Sequence, residues 1–356
     1  MKSTDLRRWG KGLAWAGGGA AALLAADLGL VLAGIVKGAS AYPDPIDDGP
    51  DPLLIDPHGR TRSSVVATAD GTLLHVETSL DLETHPSDEV VVLVHGWTCS
   101  TRFWNAQVNH LVDERPIIAY DHRGHGLSEL GSAPVSVDIL GQDLQAVLDA
   151  VLPEGKRAVL VGHSMGGMTI LSWARQFPSG MGDRVAAVVL ASTTPRHVVQ
   201  EQRLTADDMP WFEELVKPLV ARSFVSSPVP LPNNALTSRL THFIALGPKA
   251  RQAHVDFADD LISRGSPVAR AAWGRAMYSL NIIGALEAIT VPTIVAVGTE
   301  DRLTPPMHAD YMAQVLEDNG VLLEYVTYDG AGHMMPIERA AEFNRLLDDL
   351  LHSLSV

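Results

Sequence analysis

A single cysteine, Cys99, stands in 356 residues. That excludes an intramolecular disulfide and any metal site built from several thiolates. Positive charge is also scarce, with 27 Lys and Arg against 42 Asp and Glu, a net charge of −15. Five of the bases (Lys2, Arg7, Arg8, Lys11, Lys37) and only two acids (Asp5, Asp27) fall within residues 1–41, leaving 22 bases against 40 acids for the rest. A body this acidic repels a phosphate backbone, so nucleic acid is not an expected partner. Neither a phosphate-binding glycine loop nor a dinucleotide fingerprint occurs, so no cofactor is implied. Internal repeats are missing too, which sets aside solenoids and propellers. What is present is 46% hydrophobic and 19% charged, a balance that supports a sizeable core at the length of one large domain with an insertion, or of two domains.

The first 41 residues have the three-part layout of an export signal: a basic stretch ending at Lys11, an apolar run from Gly12 to Val36, and the small-residue exit Ala39-Ser40-Ala41. Cleavage after Ala41 would release a chain beginning at Tyr42. An uncleaved run is long enough to anchor the protein in a membrane with its basic end inside. Either outcome exports the body, secreted or anchored, and residues 12–36 are the expected membrane contact. The Arg7-Arg8 pair resembles a twin-arginine signal. Residues 42–64 read as a linker, with Pro43, Pro45, Pro50, Pro52 and Pro57 among aspartates.

From Val65 short β-branched runs alternate with longer amphipathic stretches, the pattern of a mostly parallel sheet flanked by helices, an α/β fold. Eight strands are expected, at 65–69, 73–76, 90–94, 117–120, 158–161, 185–190, 293–297 and 322–328. Helices are expected at about 102–112, 137–152, 165–177 and 337–354. Residues 193–284 break this rhythm. They contain no convincing strand but several amphipathic stretches, around Trp211-Phe212, 240–246, 257–262 and 269–280. A helical lid inserted into the core (65–192 and 285–356) is the simplest reading.

Gly162-His163-Ser164-Met165-Gly166 follows an apolar run and precedes a helical pattern, the context of a nucleophile elbow. The pentapeptide alone is a weak signal, but partners sit at other strand ends. His95-Gly96-Trp97 closes the run 90–94, and the backbone N–H groups of Trp97 and Met165 are the expected pair of oxyanion donors. Asp301 follows the strand at 293–297, and His333 follows the last strand within Gly330-Ala331-Gly332-His333. Ser164, Asp301 and His333 are thus the candidate catalytic residues, in the order Ser, Asp, His. Glu300, beside Asp301, is the rival acid.

On these residues, and on Asp121-His122-Arg123-Gly124-His125-Gly126-Leu127-Ser128, which looks like a D-x-R-G-x-G-x-S loop, the chain resembles the α/β-hydrolase superfamily over roughly 65–356. The resemblance is to its lidded serine esterase and haloperoxidase-like branch. It implies an eight-stranded α/β-hydrolase fold with an insertion after the sixth strand, and it accounts for His122 and His125 without a metal. Serine at the elbow sets aside the epoxide hydrolase and haloalkane dehalogenase branches, which use aspartate there. The expected function is hydrolysis of a small-molecule carboxylic ester with an apolar acyl group, through an acyl-enzyme. The alternatives are perhydrolysis, C–C bond hydrolysis or acyl transfer by the same machinery, or a ligand-binding member without turnover. Cys99 reads as buried filler, and His163 and Trp104 as packing or pocket-lining residues.

Overall fold

The computed structural model describes residues 34–198, 201–203, 226–230 and 234–355. Its core is one eight-stranded sheet: β1 (Thr61–Ala67), β2 (Leu73–Ser79), β3 (Glu89–Val94), β4 (Ile117–Tyr120), β5 (Arg157–His163), β6 (Val185–Ala191), β7 (Thr293–Gly298) and β8 (Leu322–Tyr328). The spatial order is β1-β2-β4-β3-β5-β6-β7-β8. Strand β2 runs antiparallel to both neighbours, and every pairing from β4 to β8 is parallel. This is the α/β-hydrolase fold.

The central strands are buried on both faces, which is why they read as continuous apolar runs. In β3, Val90, Val92 and Val94 enter the core on one side while Val91 and Leu93 enter the core on the other. Helices α2 (Val137–Val151) and α3 (Met165–Gln176) cover the first side; α1 (Asn105–Leu111) and α8 (Ala340–Leu354) cover the second. Helix α2 starts where Ser136 accepts the Ile139 N–H, and it buries Leu140, Leu144, Val147 and Leu148, the spacing of one helical face.

Between β6 and β7 lie α4 (Ala235–Ala245), α5 (Gln252–Arg264) and α6 (Pro267–Tyr278). They match three of the four helical stretches expected in the insertion; the fourth, around Trp211-Phe212, falls outside the described residues. Helix α7 (Pro306–Asp318) was not expected. Pro305-Pro306 reads as loop, yet proline suits the first helical position, where its missing N–H leaves no bond unmade.

The stretch expected to be a linker differs from that reading. Strand β1 begins inside it, at Thr61 instead of Val65, and the residues before it are tied to the insertion. Residues 34–41 are helical, and Ile35, Ala39 and Tyr42 pack with Phe243 of α4. Arg239 donates to the carbonyls of Ala39 and Tyr42, Tyr42 Oη donates to Leu246 O, and Arg251 pairs with Asp48 and Asp51. The aspartates that look like solvated spacer are partners for arginines distant in sequence. Among the described residues no helix is long and apolar enough to cross a membrane; residues 12–33 of the apolar run lie outside them.

Candidate active site

Ser164 sits between β5 and α3 with φ 53° and ψ −116°, a conformation costing on the order of 1–3 kcal/mol for a non-glycine residue. Its surroundings hold it there: Ser164 N–H donates to Ala191 O at 3.0 Å, and Ser164 O accepts from Thr193 Oγ1 at 2.6 Å and from the N–H groups of Gly167 and Met168. The two glycines of the elbow are required by close approach. A Cβ on Gly162 would lie 2.7 Å from the carbonyl of Gly166, and one on Gly166 would overlap Val94 O. The end of β3 therefore abuts the turn, and Gly96 lies so close that a Cβ there would come within 3.2 Å of Ser164 Cβ. Thr98, next to Trp97, also has a positive φ of 64°. Among the described residues neither the Trp97 nor the Met165 N–H has a hydrogen-bond partner. The two N–H groups expected as oxyanion donors are thus free, Met165 directly after Ser164 and Trp97 directly after the Gly96 that abuts it.

Asp301 and His333 are joined directly. His333 Nδ1 lies 3.0 Å from both Asp301 oxygens, and both residues are buried. Asp301 also accepts the N–H groups of Leu303 and Thr304 and the Thr304 hydroxyl. Burial would raise its pKa, but the charge and hydrogen bond of His333 and the Thr304 bonds outweigh that and hold it below the usual carboxylate range. An acceptor this saturated stays ionised, so Nδ1 of His333 carries the proton and Nε2 presents a lone pair. Glu300 is exposed, and its backbone N–H, not its side chain, reaches the His333 loop, at Ala331 O. No hydrogen bond joins Ser164 Oγ to His333. The two are linked through His163, whose Nε2 donates to His333 O at 2.9 Å while its ring stacks on Phe103. Burial pushes His163 down to about 3, so it stays neutral beside His333.

The sequence reading missed three positioning residues: Thr304, His163 in this role, and Glu338. The Glu338 carboxyl group accepts Gly332 N–H at 2.9 Å and Gly247 N–H at 2.7 Å, clamping the loop before His333 to the turn after α4, and burial pushes its pKa up to about 8 against the pull of those two bonds. A carboxylate closing the apolar run Met334-Met335-Pro336-Ile337 was the available signal. The insertion touches the site loops elsewhere as well: Trp97 Nε1 donates to Arg270 O, Trp273 Nε1 to Arg123 O, and Met334 N–H to Ala245 O.

The remaining candidates have structural places. Cys99 is buried, which pushes its thiol up to about 12 and leaves it inert. Trp104 packs against Phe103 and Phe343. His122 donates from Nε2 to His95 O and from its backbone to His95 Nε2, and among the described residues no group of three His, Cys, Asp or Glu side chains is arranged to hold a metal ion.

This sheet, elbow and acid–histidine pair define a class, and comparison with known proteins agrees. The model of the alpha/beta hydrolase family matches residues 91–346, and the chain belongs to that family. It is similar to the "Putative carbamate hydrolase RutD" of Variovorax paradoxus, at 30% identity over 281 residues, 78% of this chain and 97% of that protein. It is similar to the non-heme chloroperoxidase of Burkholderia pyrrocinia as well, at 28% identity over 70% of this chain and 87% of that one. Among solved structures, a thermophilic esterase from Thermogutta terrifontis superposes with a TM-score of 0.64 at 22% identity, covering 83% of this chain and all of that one, which bears on the fold alone.

Proposed function

We propose that this chain is a serine hydrolase that cleaves a carboxylic ester through an acyl-enzyme. The observation that carries the reading is Ser164, held at positive φ on the elbow, with an Asp301-oriented His333 tied to the neighbouring His163. In this mechanism Ser164 Oγ attacks the ester carbonyl as its proton passes to His333 Nε2. The oxyanion is held by the N–H groups of Trp97 and Met165, and the imidazolium returns the proton to the departing alcohol. Water then repeats the sequence to release the acid. Helices α4 to α6 and the rest of 193–284 act as a lid that shapes the acyl pocket; their bonds to the loops of Trp97, Arg123 and His333 support this.

Perhydrolysis is the second reading, supported by the likeness to a non-heme chloroperoxidase. The protein is exported, a reading supported by the basic stretch ahead of the apolar run. The test is Ser164→Ala, which should leave the fold intact while abolishing turnover of aryl esters and phosphonate labelling at position 164. Activity retained above a few per cent sinks the assignment. Peroxide-dependent bromination faster than ester turnover would favour the second reading, and intact mass from the native host reports whether the chain starts at Tyr42.

A further inference from the structure

A second Ser-His-Asp chain lies at the far edge of the sheet. Ser63 Oγ is 2.8 Å from His75 Nε2, and His75 Nδ1 is 2.9 Å from Asp121 Oδ2. Ser63 stands on β1, the edge strand, and is exposed; His75 on β2 and Asp121 after β4 are buried. The proton positions follow from the partners. Asp121 also accepts the N–H groups of Thr101, at 2.7 Å, and Leu127, at 2.9 Å, so it is the ionised acceptor. His75 must then donate from Nδ1, which leaves Nε2 bare to accept the Ser63 hydroxyl proton. The same tautomer is required of a catalytic histidine.

We propose that Ser63 is a second acylation site of this chain, a surface hydroxyl activated by His75 and Asp121 that takes small activated esters and phosphonates. In the acyl case Ser63 Oγ bonds to the carbonyl carbon, and the bond from that carbon to the aryl oxygen breaks. The hydroxyl proton passes to His75 Nε2 and on to the departing phenolate, and Asp121 stays ionised throughout. No redox partner is needed.

The surroundings set the rate and the fate of the product. Ser63 pairs with Glu77 at a position whose backbone N–H and C=O turn away from β2, because the bonded pairs of this ladder are the alternate ones, as Thr68 N–H to Thr72 O shows. Its N–H therefore lies on the open edge, and among the described residues no second donor converges on the hydroxyl. Without a two-donor oxyanion site the reaction is slow and the acyl group stays on, so the site gives a stoichiometric product instead of turnover. Two charged groups face the imidazole: Asp121, and Glu77 at 3.9 Å from its own strand. Glu77 is held by the hydroxyls of Thr61 and Thr101, and buried His95 lies 3.8 Å from Asp121. Burial pulls His75 down, but Asp121 and Glu77 more than offset it, and its pKa is raised. Ser63 should therefore react above that raised pKa and not below it.

The experiment uses the full chain carrying Ser164→Ala, so that its outcome does not depend on the function proposed for Ser164. The protein is incubated with 4-nitrophenyl acetate or an alkyl fluorophosphonate and mapped by peptide mass spectrometry. One label per chain is expected on Ser63, with a rate that rises with pH and levels off. Adding Ser63→Ala should remove the label, and adding His75→Gln should slow it about a hundredfold, the usual worth of a positioned general base. Circular dichroism checks that each variant is folded. Ser63→Ala alone should leave ester turnover unchanged. The proposal is overturned by absence of label on Ser63, by labelling that His75→Gln does not slow, or by a rate that climbs with hydroxide without a plateau. Because Ser63→Ala lies on an exposed strand, its result stands even where His75→Gln fails to fold.

Discussion

Glu338 reaches back along the chain to accept the backbone N–H of Gly332, the residue before His333, at 2.9 Å. Its other oxygen accepts Gly247 N–H, so one carboxyl group fixes both the histidine loop and the insertion. Glu338→Gln keeps one acceptor and turns the other towards its N–H partner as a donor, so it should lower kcat by roughly tenfold with little change in KM, the worth of one lost hydrogen bond of about 1–1.5 kcal/mol. Glu338→Ala should lower kcat further, and Glu338→Asp should recover less than Gln because its shorter chain cannot span both donors. A loss confined to thermal stability, with kcat unchanged in folded variants, would make the clamp purely structural.

The choice between Asp301 and Glu300 is open to the same kind of measurement. Asp301→Asn removes the acceptor that fixes the Nδ1–H tautomer of His333 and should reduce kcat about 10⁴-fold. Glu300→Gln alters an exposed side chain and should change kcat less than twofold, within the range of surface substitutions. The reverse pattern would move the acid one residue upstream.

The residues with a local signature were legible in the sequence. The elbow announces itself because two close backbone approaches demand glycine on either side of Ser164, and β3 does because both its faces are buried. Thr304 and Glu338 were not legible, since their roles depend on groups brought close only by the fold: the His333 ring beside Thr304, whose Asp301 partner alone is local, and a backbone N–H from the insertion beside Glu338. The tie between residues 34–57 and α4 and α5 was hidden for the same reason. Prolines and aspartates describe a spacer until Arg239 and Arg251, some 200 positions away, are known to face them. Helix α7 was missed because its opening prolines signal loop and helix start alike.

Acid stability should be poor, and histidines are the cause. Burial holds His122 and His163 down to about 3, His125 to about 4, and His95 well below its ordinary value, so all four are neutral in the fold. In the unfolded chain each titrates near 6.5. The unfolded state therefore binds more protons below that pH, and their stabilising effect is complete above about 6.5 and lost as pH falls towards 3 to 4. Each group changes stability by up to about 1.4 kcal/mol per pH unit in that window. Four acting together rival the total stability of a domain within two units. Guanidinium denaturation should show a midpoint that drops steeply between pH 6.5 and 5, with net proton uptake on unfolding in that range. A flat midpoint over that range would mean that these rings are not neutral in the fold.

Arg123 carries the last expectation. Its guanidinium bonds Asp143 through Nε at 2.7 Å and Nη2 at 2.5 Å, and Asp70 through Nη1 at 3.0 Å, and its backbone carbonyl receives Trp273 Nε1. Asp143 is 1% exposed, and burial raises its pKa against the pull of Arg123. Arg123→Met would strand that carboxylate in the core and should destabilise the protein by about 3–5 kcal/mol. Asp143→Leu alone strands a guanidinium that still has Asp70, and should cost less. The pair Arg123→Met with Asp143→Leu removes both charges, so it should recover much of the loss, since a buried ion pair replaced by apolar groups of similar volume is often neutral. A double variant whose loss, measured by urea denaturation, equals the sum of the two single losses would show that the two side chains do not depend on each other and that the buried pair is not what holds the loop after β4 against α2.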